Sequence, residues 1–172
     1  ASMLDETIVN ILRRRNMSED RKRQSAKWQH TIKIVEWLSA KFSLDSQFQI
    51  YHFNTRTNAL VSNTKGQWLD VRDKTKLDSA LKALNRLAPK NGTNLEKAFI
   101  AANQLNPKPD NIYLITDGLP TQGTKSSSKI TISGKDRARL FNKAVDKLPA
   151  RTPVNIILTP IEGDPYAAIA FW

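Results

Sequence analysis

The chain contains no cysteine, which excludes disulfides, thiolate zinc centres and a cysteine nucleophile together. Histidine is nearly as scarce. His30 and His52 are the only two; they fall in an expected helix and an expected strand, without a partner at metal-ligand spacing, and neither is assigned a role. No apolar run reaches the roughly 20 residues that span a bilayer, and no signal-peptide pattern is visible. Negative charge is also in short supply. Against 27 Lys and Arg stand 16 Asp and Glu, a formal net charge of +11. A surface of that sign attracts phosphate polyanions, anionic lipid or acidic protein.

What is present is the balance of an ordinary globule: 172 residues, 40% hydrophobic and 25% charged. That length suits one domain, 1–172, and buries a core without staples. Part of the charge excess is local. Arg13, Arg14, Arg15, Arg21, Lys22, Arg23 and Lys27 are offset by Glu19 and Asp20. No aromatic residue is interleaved for base stacking, so a solvated helix end and loop is the preferred reading and nucleic acid the lesser one.

Hydrophobic periodicity predicts a helix over 4–15, with Leu4, Ile8, Ile11 and Leu12 inward, then a polar loop or frayed helix over 16–25. A second helix is expected over 26–42, carrying Trp28, Ile32, Val35, Leu38 and Phe42 on one face. Strands follow at 48–53 and 58–62, joined by a turn too short for a crossover and therefore an antiparallel edge hairpin. Helices are expected at 76–87 and 94–105. The run 111–116 (NIYLIT) reads as a strand buried on both faces, and 118–131 as a mobile loop rich in Gly, Ser, Thr and Lys. A helix at 135–148 and a strand at 154–158 (VNIIL) come next. Asp164 and Pro165 stand in N-cap and first-helical positions. Alternating strands and helices imply an α/β fold: an open doubly wound, mostly parallel sheet with helices on both faces.

In such sheets ligands bind outside the carboxyl ends of the strands. Asp117-Gly118 follows NIYLIT there, with the glycine permitting a tight turn. Asn91-Gly92-Thr93 leads into a helix with Thr93 in N-cap position, and Ser2 precedes the first helix. Singly, Ser2 and Thr93 are ordinary caps and Asp117 an ordinary turn residue.

Together, Ala1-Ser2-Met3, Gly92-Thr93-Asn94-Leu95 and Leu114-Ile115-Thr116-Asp117-Gly118 resemble, in order, the three elements of the metal-ion-dependent adhesion site of von Willebrand factor type A domains: Asp-x-Ser-x-Ser, a distant Thr, and a distant Asp before Gly. The resemblance covers essentially the whole chain. It implies a Rossmann-like fold and a bound Mg²⁺ or Mn²⁺, with Ser2, Thr93 and Asp117 as metal-site residues. Thr93 would touch the metal directly in the liganded state, and Asp117 through water. It implies noncatalytic binding of a protein partner that offers Asp or Glu to the metal. Related proteins are often bacterial and associated with the cell envelope. The first Asp-x-Ser and its preceding strand are missing and the last helix looks short, so the chain reads as a fragment of a longer protein.

Rival readings are weaker. The run 118–126 (GLPTQGTKS) looks like a P-loop, but Thr124 intervenes where Lys must follow the second Gly directly. Asp117, Glu162 and Asp164 could serve a metal-dependent hydrolase, yet no clustered carboxylates for two metals are apparent. Glu162 and Asp164 read as a solvated loop and a helix cap. The segment 119–131 is a candidate rim for partner selection. Nucleic-acid binding through 13–27 would weaken steeply with salt, whereas metal-dependent adhesion would vanish with a chelator.

Overall fold

The computed structural model describes residues 2–123, 132–164 and 166–167. The chain falls into two compact units, Ala1–His52 with Asn58–Pro89, and Phe53–Thr57 with Lys90–Trp172. Its class is mixed α/β: among the described residues, six α-helices and three two-stranded sheets, one of them parallel.

The first unit opens with a 3-10 turn, Ser2–Leu4, then α1 (Ile8–Arg14), α2 (Glu19–Arg23) and α3 (Ala26–Ser39). Ser2 does not cap α1; Thr7 does, accepting the Asn10 N–H. The polar stretch expected as a loop or frayed helix contains α2: Ser18 caps it by accepting the Arg21 N–H, and Glu19 and Asp20 fill its first turn, which suits the helix dipole. Two short antiparallel strands follow in the same unit, β1 (Gln47–Phe48) and β4 (Leu69–Asp70). Asp73 caps α4 (Lys74–Arg86) by accepting from the N–H groups of Thr75 and Lys76.

The core of this unit is Ile32, Phe48, Leu60, Leu69, Val71, Ala80 and Leu84, with Trp28, Val35, Phe42 and Leu77 packed against it. The stripes of α3 and α4 were thus legible from their spacing. Of the stripe expected over 4–15, Leu4 is buried and Ile11 half-buried, whereas Ile8 is 62% exposed and Leu12 50%; α1 itself buries no residue.

The expected strand 48–53 is split. Gln49 breaks it: its side-chain Oε1 accepts the Ile50 N–H at 3.0 Å and its Nε2 donates to the Thr64 and Gln67 carbonyls, both at 2.7 Å. A side chain bonding its neighbouring backbone competes with a ladder. The second piece, β2 (Tyr51–Phe53), pairs with β3 (Thr57–Ala59). Leu60 N–H donates to Ile50 and Asn54 N–H to Arg56, partners that approach in equal steps, as in the expected antiparallel hairpin.

The second unit carries α5 (Leu95–Asn103), β5 (Ile112–Thr116), α6 (Gly134–Val145) and β6 (Val154–Leu158). β5 and β6 pair in parallel, in register from Ile112↔Val154 to Thr116↔Leu158, with α6 on the connection. Parallel neighbours need such a crossover. Leu95, Phe99, Leu114 and Ala144 form the core, flanked by Phe53, Phe141, Leu148, Val154 and Ile156. The helices cover the strand face bearing Leu114 and Ile156. β5 is consequently not buried on both faces as expected: Tyr113, pointing the other way, is 49% exposed. Among the described residues, no helix is long and apolar enough to cross a membrane.

Candidate metal site at the carboxyl end of strand β5

The second unit has its polar groups where a parallel strand pair ends. Beyond the ladder, Thr159 N–H donates to the Thr116 carbonyl at 2.9 Å, so the ends of β5 and β6 stay joined past their last paired residues. The Thr116 hydroxyl donates to the Gly118 carbonyl at 3.1 Å, just past the strand end. Asp117, held between them, is 4% exposed. Its Oδ2 is buried and makes no hydrogen bond with the described residues. A carboxylate oxygen removed from water and left unpaired is costly.

Gly118 is not in the left-handed region, the positive-φ glycines being Gly66 and Gly163. The turn needs glycine there for space rather than for φ. A Cβ at Gly118 would stand 3.1 Å from Arg137 Nη2 and 3.5 Å from Asp164 Oδ2. Those two groups form an ion pair, Nη1 to Oδ2 at 2.7 Å, with side chains only 18% and 10% exposed. Arg137 Nη2 also donates to the Leu119 carbonyl at 3.2 Å. Its Nε is buried without a partner.

The loop then meets the one carrying Thr93. Thr93 N–H donates to Thr121 Oγ1 at 2.9 Å, and the Thr93 carbonyl accepts from the N–H groups of Thr121 and Gln122 at 2.9 and 3.0 Å. Asn91 supplies the positive φ of that turn, at 62 to 65° like Asn63 and Arg151, and Gly92 leaves room for Thr121, whose Oγ1 would lie 2.8 Å from an added Cβ. Thr93 is not the N-cap of α5. Asn94 is, accepting the Lys97 N–H at 3.0 Å and donating to the Gly123 carbonyl at 2.8 Å. Main-chain bonds to 121–122 hold Thr93 one residue outside the helix, leaving the cap to its neighbour.

Thr93 and Asp117 therefore stand on loops of one unit that bond to each other. Ser2 belongs to the first unit. The segment expected to be a mobile loop begins with Gly118, Leu119 and Pro120 all buried, because Leu119 and Pro120 serve as core residues less than 2% exposed. Residues 124–131 of the expected rim, the end of the P-loop-like run, Pro165 and 168–172 lie outside the described residues. Asp164, expected as a helix cap, pairs its carboxylate with Arg137, and Pro165, the first residue of the helix it would cap, lies outside the described residues. Glu162 is exposed.

Arg137 is the functional candidate that sequence reasoning passed over. It lies in the first turns of α6, whose cap is Ser133. A cation there opposes the helix dipole, and that local mismatch is the signal a sequence carries.

The basic segment is partly self-neutralised. Arg14 pairs with Asp5 at 2.9 Å, Arg23 with Asp20, and Lys27 is 7% exposed with its Nζ donating to the Asp5 carbonyl. The Asp5 carboxyl feels burial, which raises its pKa. Hydrogen bonds from Asn10, Thr7 and Glu6 and the charge of Arg14 outweigh that and leave it below the ordinary aspartate value.

Hard divalent cations take oxygen ligands. Asp117 has a buried, unpartnered carboxylate oxygen, and its loop bonds to the one carrying Thr93; carboxylate and hydroxyl are oxygen donors of the kind such a cation takes. No group of three or more His, Cys, Asp or Glu able to hold a metal converges among the described residues; a site built on hydroxyls and one carboxylate is of another kind. No protein-family model and no curated protein sequence matches this chain.

Proposed function

We propose that the chain is a noncatalytic, divalent-cation-dependent protein-binding module. In this reading the second unit is part of an open doubly wound sheet of the von Willebrand factor A type. The observation that carries it is the Asp117 oxygen, buried at the carboxyl end of a parallel strand with no hydrogen-bond partner among the described residues.

Asp117 and Thr93 would hold Mg²⁺ or Mn²⁺. Asp117 brings negative charge; threonine brings oxygen without charge. When bound, the cation supplies an open coordination position for an Asp or Glu of the partner. Thr116 and Gly118 keep Asp117 at the strand end, and Thr121 and Gln122 fix the Thr93 backbone. The commitment of Asp164 to Arg137 leaves it unavailable as a second metal-holding carboxylate, which favours binding over two-metal hydrolysis. The net charge of +11 favours an acidic partner.

Titration calorimetry with Mn²⁺ or Mg²⁺ alone tests the assignment. Thr93→Ala and Asp117→Ala are expected to abolish measurable binding while circular dichroism stays that of the parent. Unchanged metal affinity in both variants would make the assignment wrong.

A further inference from the structure

We infer that Asp164 acts as a decoy for Arg137, holding its charge away from Asp117 so that the Asp117 carboxylate stays free for a cation. The inference rests on the cation-binding reading and assigns a positioning role to two residues that touch no metal.

Three observations meet at one turn. The Arg137 guanidinium and the Asp164 carboxylate both lie against Gly118, as close as 3.1 and 3.5 Å to the position of a Cβ there, and Asp117 is the adjoining residue. Arg137 spends Nη1 on Asp164 and Nη2 on the Leu119 carbonyl, while its Nε is buried and unpaired. Asp117 Oδ2 is buried and unpaired as well.

A buried guanidinium with an idle N–H and a buried carboxylate with an idle oxygen, one residue from its contact, are natural partners. What competes for the arginine is Asp164. Its carboxylate neutralises Arg137 and points it along the turn, so the cation of the protein does not occupy the place of the metal. Another carboxylate of the unit, Glu96, has its Oε2 3.7 Å from the Cβ position at Gly123, and Asp136 pairs with Arg139.

Neutralising Asp164 should release Arg137 onto Asp117. Asp164→Asn is expected to weaken Mn²⁺ binding by about ten- to hundredfold, the range seen when groups supporting a metal ligand are lost. Asp164→Asn with Arg137→Gln should bring affinity back close to that of the parent. Removing both charges of a buried pair is tolerated far better than stranding one.

A metal-free measurement accompanies it: hydrogen exchange of the Arg137 Nε–H by NMR. In Asp164→Asn that proton should be protected, and adding Asp117→Asn should remove the protection. In the parent, Asp117→Asn alone should leave the signal unchanged, a comparison that holds even where Asp164→Asn is too unstable to purify.

A double variant as weak as Asp164→Asn, an unaltered Asp164→Asn affinity, or an Arg137 signal in the parent that responds to Asp117→Asn overturns the inference. Failure of the parent to bind Mn²⁺ sinks the cation reading instead, and the exchange data then decide the role of Asp164 on their own.

Discussion

The two units put their polar groups to different uses. In the first, ionised groups serve local architecture: Asp73 caps α4, Asp5 gathers Asn10, two N–H groups and Arg14, and Arg23 reaches the Arg86 carbonyl. The one orphaned buried side-chain atom described there is the Ser25 hydroxyl, which is neutral. In the second unit the orphans include a carboxylate oxygen of Asp117 and the Nε of Arg137. Buried polar atoms left without partners are expensive, and on the Asp117 carboxylate that expense falls at a strand end. That difference, more than any single motif, separates scaffold from site.

The sharpest way to break the comparison is to remove a group from each unit. Phe48→Ala empties the core of the first and should cost about 3–5 kcal/mol by chemical denaturation, leaving the Mn²⁺ affinity of any protein that stays folded unchanged. Arg137→Ala strands Asp164 in the second and should cost a similar roughly 3–5 kcal/mol; a loss below about 1 kcal/mol would mean the pair behaves as a surface contact.

Asp117→Asn should do the reverse in metal-free protein. It removes the charge from a carboxylate with one buried, unpartnered oxygen, so stability is expected to hold or rise by about 1 kcal/mol, even as metal binding is lost. A clear destabilisation would show that the carboxylate has a structural partner. Asn94→Ala, which removes the α5 cap, should cost about 1–2 kcal/mol by the same denaturation measurement.

The smallest effect is one of pH. The Asp5 carboxyl is held below its ordinary value, so its folded pKa lies under its unfolded one. Its contribution is therefore complete above the ordinary aspartate range and is lost as pH falls through the lowered value. Protection factors of the α1 amides, corrected for the intrinsic pH dependence of exchange, should fall in acid, and Asp5→Asn should flatten that dependence. Identical pH profiles in parent and variant would remove Asp5 from the account.

Much of the architecture is legible in the chain because its signals agree. Val154–Leu158 was expected at its observed bounds, and the stripes of α3 and α4 face their core. Readings fail where one residue satisfies two demands. Gln49 uses its amide on the backbone and splits a strand that composition alone makes continuous. Asn94 takes the cap that Thr93 was expected to fill, since a threonine whose N–H and C=O both bond 121–122 is committed elsewhere. Asp117 was legible as the residue after an apolar strand. Its unpaired oxygen, and the arginine and aspartate from 20 and 47 residues downstream that flank its glycine, depend on contacts no local pattern encodes.

The central claim is that the idle oxygen of Asp117 is idle because a cation takes it. Crystals of the chain soaked in Mn²⁺ and measured at a wavelength where manganese scatters anomalously give the direct answer. The account predicts one dominant anomalous peak beside the Asp117 carboxylate, on the side of the Thr93 loop. A peak elsewhere, or a clean map with the carboxylate hydrogen-bonded to protein, contradicts it.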